Sequence, residues 1–223
     1  QRQMCIRDSL HTPRQLLECA YRQVPSMAGP QGPLPGDEPD RTGLSLTGLL
    51  PGVQTLDQVV AVDAFIPGCP PPPEIIGEVI SDIIDGCLPE TGTVFAERKA
   101  LCNQCARLDT RPAVIEIDRF KRLHDTCWEP DVCFLPQGLI CMGPVTRGGC
   151  NARCIDANMP CRGCFGPTEA IADFGAGAIA FIAAIMTGSD ETALKKLVKS
   201  IPDATGLLYR YALATSVLGK GNL

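Results

Sequence analysis

Residues 59–85, VVAVDAFIPGCPPPPEIIGEVISDIID, decide the fold class. The first eight, Val59–Ile66, are β-branched and almost continuously apolar, the pattern of a buried parallel strand. The last twelve, Glu74–Asp85, carry Ile75, Ile76, Val79, Ile80, Ile83 and Ile84 at helical spacing. Between them lies Pro67-Gly68-Cys69 and four prolines, a segment that cannot continue either element. A strand, a tight loop and a helix in that order predict an α/β fold. Cys69 then falls at the carboxyl end of the strand, the edge at which open α/β sheets bind their ligands.

Upstream, residues 12–23 (TPRQLLECAYRQ) read as a short amphipathic helix with Thr12 as N-cap and Pro13 in the first turn. Cys19 lies within it and is expected to be a small packed side chain. Residues 25–52, rich in Pro and Gly with acids at Asp37–Asp40, read as a surface loop. The opening nonapeptide QRQMCIRDS resembles translated sequencing-adapter read-through, so residues 1–9 and Cys5 are set aside and the chain is expected to be truncated at its N-terminus.

Downstream of residue 90 the composition changes. Nine of the 13 cysteines fall between Cys102 and Cys164, in a stretch short of periodic apolar pattern. Such a segment is expected to be stapled by something other than a hydrophobic core. After Pro167 the run Ala170–Thr187 approaches membrane-spanning length, but Asp173 and its many small residues predict a closely packed buried helix. Two further helices are expected at 190–200 and 203–218.

The cysteines decide the chemistry. An odd count, in a chain of 223 residues whose opening stretch shows no charged-then-apolar leader pattern, does not suit the expected disulfide framework of a small secreted domain. Net charge is −5 with acids and bases interspersed, and only one Trp and three Tyr are present, which excludes a nucleic-acid face. One Cys-x-x-Cys pair opens the rich segment, Cys102 and Cys105, and another closes it, Cys161 and Cys164. The simplest partition assigns Cys102, Cys105, Cys133 and Cys141 to one four-thiolate site, and Cys150, Cys154, Cys161 and Cys164 to a second. Each set suits a four-iron–four-sulfur cluster, in which every iron takes one protein sulfur. Zinc is the alternative, although zinc sites more often use two close pairs. His124-Asp-Thr-Cys127 is a competing ligand pair, but a surface histidine and a spare thiol are the simpler reading. The glycines at 143–149 follow no strand, so they form no dinucleotide fingerprint. Arg119–Arg122 (RFKR) reads as a solvated face.

Three segments carry a family resemblance: IPGCPPPPE (66–74), ICMGPVTRGGC (140–150) and MPCRGCFGP (159–167). They resemble the small, iron–sulfur subunit of cytosolic nickel–iron hydrogenases, nearest to the methyl-viologen-reducing, heterodisulfide-reductase-linked branch. The resemblance runs from about Thr12 to Pro167. It implies the second half of a flavodoxin-like domain over 10–90, a loop-rich two-cluster module over 91–167 and a helical tail over 168–223. It also implies an electron-transfer subunit with no catalytic site of its own. Cys102, Cys105, Cys133 and Cys141 would hold a distal cluster, with Cys102 standing where relatives have a histidine. Cys150, Cys154, Cys161 and Cys164 would hold a medial one, with Cys154 as an extra thiolate. Cys69 matches one ligand of a third, proximal cluster, whose other ligands have no counterpart here. The implied partners are a nickel–iron large subunit and a flavin- or iron–sulfur-containing acceptor subunit, in the cytoplasm and with no membrane span. A quinone-reductase-type small subunit is the nearest rival, but it normally lacks the second cysteine-rich module. A zinc-stabilised interaction module is the rival from another class.

Overall fold

A computed structural model of the chain describes residues 12–23, 34–37, 43, 45–48, 54–87, 89–188, 190–201 and 203–217. It divides into two compact units, Gln1–Val53 with Asn222–Leu223, and Gln54–Gly221.

In the first unit, helix α1 spans Pro13–Arg22. Thr12 starts it through a reciprocal capping box: its Oγ1 accepts from the Gln15 N–H at 3.3 Å, and its own N–H donates to Gln15 Oε1 at 2.8 Å. That pairing satisfies two donors that a helix start leaves orphaned. Arg14 and Arg22 reach the Asp37 carboxylate at 3.7 and 3.8 Å, tying the turn at Pro35–Asp37 to the helix. Cys19 is exposed, not packed as the sequence suggested. The adapter-like residues 1–9 with Cys5, and most of the expected loop 25–52, lie outside the described residues.

The second unit begins with a 3-10 turn at Leu56–Gln58, closed by Thr55 and Gln58 in another capping box. Strand β1, Ala64–Phe65, pairs in parallel with β2, Thr93–Val94, in the register Ala64 with Thr93 and Phe65 with Val94. Helix α2, Pro73–Ile84, makes the crossover between them. The order strand, helix, parallel strand is the α/β unit that the opening stretch predicts. The strand itself is shorter than expected. Val59 and Val60 are 65% and 50% exposed, and only two of the eight residues, Ala64 and Phe65, join the sheet. An apolar run is buried along its length only where strands flank it on both sides, and among the described residues β1 has β2 alone.

Beyond β2, residues 95–167 are mostly turns and 3-10 segments with one short helix, α3 at Arg153–Asp156. They nevertheless build a hydrophobic core. Leu101, Phe120, Phe134, Leu135, Leu139, Met142, Val145 and Ile155 are buried in one cluster that continues into the C-terminal helices. The expectation of a segment without such a core fails because these side chains are placed singly between turns, where neither helical nor strand periodicity registers them.

Helix α4, Phe174–Ile185, buries Phe174, Ala178, Ile182 and Ile185 against that core. Asp173 is its N-cap: Oδ1 accepts from the Ala176 N–H at 2.9 Å and Oδ2 from the Val217 N–H at 2.8 Å. The charge inside the apolar run is thus a helix start and an anchor for the tail. Among the described residues no helix is long and apolar enough to cross a membrane. Helix α5, Glu191–Lys199, lies within the helix expected at 190–200, and Asp190 caps it by accepting from the Ala193 N–H at 2.8 Å. The last helix is shorter than the sequence suggests, α6 spanning only Ala204–Leu208. The chain leaves helical geometry at Tyr209, whose ring lies against the backbone of Gly175, where a Cβ would collide with it.

Candidate metal centre

Each cysteine of the rich segment sits on a loop whose turn is set by its neighbours. Cys102 lies in the 3-10 turn Leu101–Gln104 and Cys105 caps its end, with the Cys105 N–H 3.2 Å from the Cys102 carbonyl. Cys133 enters beside the Leu135–Gln137 turn, its N–H held by Thr110 Oγ1 at 2.8 Å. Cys150 and Cys154 bracket the start of α3, where Asn151 and Ala152 both take positive φ (52°). Cys161 and Cys164 enclose Gly163, which has φ +89° and lies against the Phe174 ring, leaving no room for a Cβ. At the sheet edge Gly68 has φ +130°, and a Cβ there would come within 2.6 Å of Pro71 Cα. Glycine is therefore required in the loop that presents Cys69.

The thiols gather in two groups. Cys102 lies near Cys105, Cys133 and Cys161, and Cys141 lies near Cys102 and Cys133. A methyl added at Gly143 would stand 3.3 Å from Cys102 Sγ and 3.6 Å from Cys141 Sγ, so the missing side chain leaves a cradle between two sulfurs. In the second group Cys164 neighbours Cys154, Cys150 and Cys69. Cys161 stands at the seam. Its N–H donates to Cys141 Sγ at 3.3 Å, while its thiol neighbours both Cys141 and Cys164. Cys69, which the resemblance implies for a separate cluster, is placed beside the second group. All these cysteines are free thiols.

The electrostatics are those of donors withdrawn from water. Burial pushes the Cys102 thiol up to about 11; Arg111 opposes the rise, and the neighbouring cysteines add to it. Burial pushes Cys141 and Cys161 up to about 12. Cys133, Cys150 and Cys164 rise for the same leading reason. Backbone donors oppose these shifts: Gly143 and Cys161 N–H at Cys141, Gly163 N–H at Cys161, Ala152 and Arg153 N–H at Cys150, Leu135 N–H at Cys133, and Cys69 N–H at Cys164. Amides aimed at sulfur stabilise thiolate, the form that binds metal. Without metal, buried thiols with such values hold their protons at neutral pH, and coordination displaces those protons.

The donor set, the cradle at Gly143 and the inward amides suit a thiolate-bound metal group. Among the described residues no three His, Cys, Asp or Glu are already gathered at the spacing of a single metal ion. His124 bonds the adjacent Asp125 at 3.1 Å on an exposed surface, and Cys127 is exposed as well. Gly143 and Gly163 lie in the Gly- and Pro-rich segments MGPVTRGG and RGCFGP, whose amides near sulfur favour clusters, but the sequence does not show how closely neighbours crowd a side chain at either. Sequence reasoning missed Arg107 and Arg111, which no sequence signal separates from surface arginines.

No protein-family profile matches the chain. It is 36% identical over 219 residues to the iron–sulfur subunit of the F420-non-reducing hydrogenase of Archaeoglobus profundus, covering 95% of this chain and 67% of that one. To a subunit of the vhu F420-non-reducing hydrogenase of Methanocaldococcus jannaschii it is 35% identical over 168 residues, covering 75% of this chain and 52% of that one. To the delta subunit of sulfhydrogenase 2 of Pyrococcus furiosus it is 33% identical over 109 residues, covering 49% of this chain and 35% of that one.

Proposed function

Because the chain belongs to the family of F420-non-reducing hydrogenase iron–sulfur subunits, we propose that it is the electron-relaying subunit of a nickel–iron hydrogenase. Its relatives are named as subunits of hydrogenases, which are oxidoreductases. On this reading Cys102, Cys105, Cys133 and Cys141 hold a distal four-iron–four-sulfur cluster, and Cys150, Cys154, Cys161 and Cys164 a medial one. Cys69 contributes to a third, proximal cluster. The partners are a large subunit carrying the nickel–iron site and an acceptor subunit carrying flavin or iron–sulfur groups, in the cytoplasm. The β1–α2–β2 unit belongs to a flavodoxin-like domain over residues 10–90, followed by the cluster module at 91–167 and the helical tail at 168–223.

The observation that carries this reading is a set of neighbouring free thiols, of which Cys102, Cys133, Cys141, Cys150, Cys161 and Cys164 are withdrawn from water, with backbone N–H donors turned toward the sulfurs of Cys133, Cys141, Cys150, Cys161 and Cys164. Bound clusters supply reversible one-electron chemistry. The chain supplies the thiolates, and its core residues Met142, Leu139 and Phe134 keep water from the sulfurs. The amides of Gly143, Gly163 and Ala152 stabilise negative charge on sulfur, which favours the reduced state and raises the potential. Cys161, with Cys141 and Cys164 both acting on its thiol, links the two sets.

The test is an electron count. Chain purified without air, reduced and freed of excess reductant is expected to pass about two electrons to an oxidised viologen dye, one per cluster. A chain that passes none refutes the relay.

A further inference from the structure

Arg107 is 7% exposed, and its guanidinium carbon lies 4.2 Å above the centre of the Phe134 ring. Nη2 donates to the Ile155 carbonyl at 3.0 Å and to Asn158 Oδ1 at 2.7 Å, while Nη1 is buried with no acceptor. Among the described residues no carboxylate pairs with it. A guanidinium keeps its charge at any working pH. A buried charge without a partner is costly, so it is retained where an opposite charge faces it.

The neighbours say what that opposite charge is. Arg107 follows Cys105 by two residues, and Phe134, on which it stacks, follows Cys133 directly. Ile155 and Asn158, which hold its other end, lie between Cys154 and Cys161. Together with Arg111, its positive charge favours the ionised form of Cys133. The side chain is therefore wedged between the loops that carry both thiol groups, and its charge acts on the first of them. Neutral thiols would leave that charge unanswered, whereas four thiolates around a cluster answer it.

We propose that Arg107 is a fixed, buried counter-charge to the cluster held by Cys102, Cys105, Cys133 and Cys141, and that it raises the reduction potential of that cluster. The inference rests on the two-cluster reading above. Reduction adds one electron and breaks no bond, so the reduced state is one unit more negative and is favoured by a nearby cation. A dithionite-class reductant supplies that electron in the test. Arg107 acts as a tuning and positioning residue. Its immobility, fixed by Phe134, Ile155 and Asn158, keeps the charge at constant distance, which a solvated lysine would not do.

The test is a redox titration of the anaerobically purified chain with mediator dyes, followed by low-temperature paramagnetic resonance, for the unsubstituted chain, Arg107→Met and Arg107→Lys. Arg107→Met is expected to keep its iron while one cluster signal moves to lower potential and the other stays. Arg107→Lys should return that signal most of the way, and the shift should persist in molar salt, since a buried charge is poorly screened. Full iron with both potentials unmoved in Arg107→Met overturns the proposal. So does equal iron loss in the Met and Lys variants, which marks a purely structural side chain. If only Arg107→Met loses iron, Asn158→Asp decides: a carboxylate against Nη2 answers the guanidinium and should lower the same signal, and an unmoved signal overturns the proposal. Absence of clusters from the unsubstituted chain refutes the two-cluster reading itself, before any variant is compared.

Discussion

Gly163 offers a test in which sterics, backbone strain and cluster binding are tied to one atom. It stands between Cys161 and Cys164 with φ +89°, and an added Cβ would run into the Phe174 ring at the start of α4. In Gly163→Ala the left-handed backbone costs about 1–2 kcal/mol. Forcing a methyl into the packed ring costs about 1–3 kcal/mol more, so the total is roughly 2–5 kcal/mol. At a urea slope of about 2 kcal/mol per molar, the unfolding midpoint should fall by about 1–2.5 M. Anaerobic urea unfolding, followed by both far-ultraviolet dichroism and visible absorbance, measures it, provided the two probes coincide. In a Phe174→Leu background the added cost of Gly163→Ala should shrink to the backbone part, about 1–2 kcal/mol, because the two sites are coupled through the clash. An unchanged midpoint in Gly163→Ala, or an undiminished cost in the Phe174→Leu background, would refute the packing argument.

Three further outcomes are expected. Gly143→Ala places a methyl against Cys102 and Cys141 and should lower iron from about eight to about four per chain, read by colorimetric assay. Cys150→Ser and Cys164→Ser should each lower cluster content, while Cys127→Ser, at an exposed thiol outside both groups, should leave iron and visible spectrum unchanged. Because burial lifts Cys102 to about 11 and Cys141 and Cys161 to about 12, protons compete strongly for these sulfurs at every lower pH. Each released ligand takes up a proton, so absorbance should decay faster as pH falls from 8 to 5; slower decay on acidification would contradict the assignment of these thiols as ligands.

The sequence disclosed elements whose signals are local. Thr12 and Pro13 announce α1, and the loop between Ile66 and Glu74 announces a strand-to-helix turn. It misjudged what depends on partners at a distance. Val59 and Val60 read as strand because they are β-branched, but pairing needs a neighbour, and β2 offers two residues. Helix α6 ends at Tyr209, whose ring packs on Gly175, more than thirty positions away. The core of the cysteine-rich segment was invisible for a related reason: Met142 and Phe134 are apolar residues among turns, and only tertiary structure gathers them. At the site, the cysteine count and pairs make a thiolate-rich segment legible, but they do not reveal Cys161 beside both Cys141 and Cys164, Cys69 beside Cys164, or Arg107 buried among the loops. Those facts arise from chain crossings and not from intervals along the chain.

The central claim is that these thiols hold two iron–sulfur clusters, and metal analysis of anaerobically purified chain tests it most directly. Iron, zinc and acid-labile sulfide are measured on one sample, with paramagnetic resonance after reduction. About eight iron and eight sulfide per chain, with reduced-cluster signals, is the predicted result. Zinc with no labile sulfide would contradict the account and leave a structural metal module in its place.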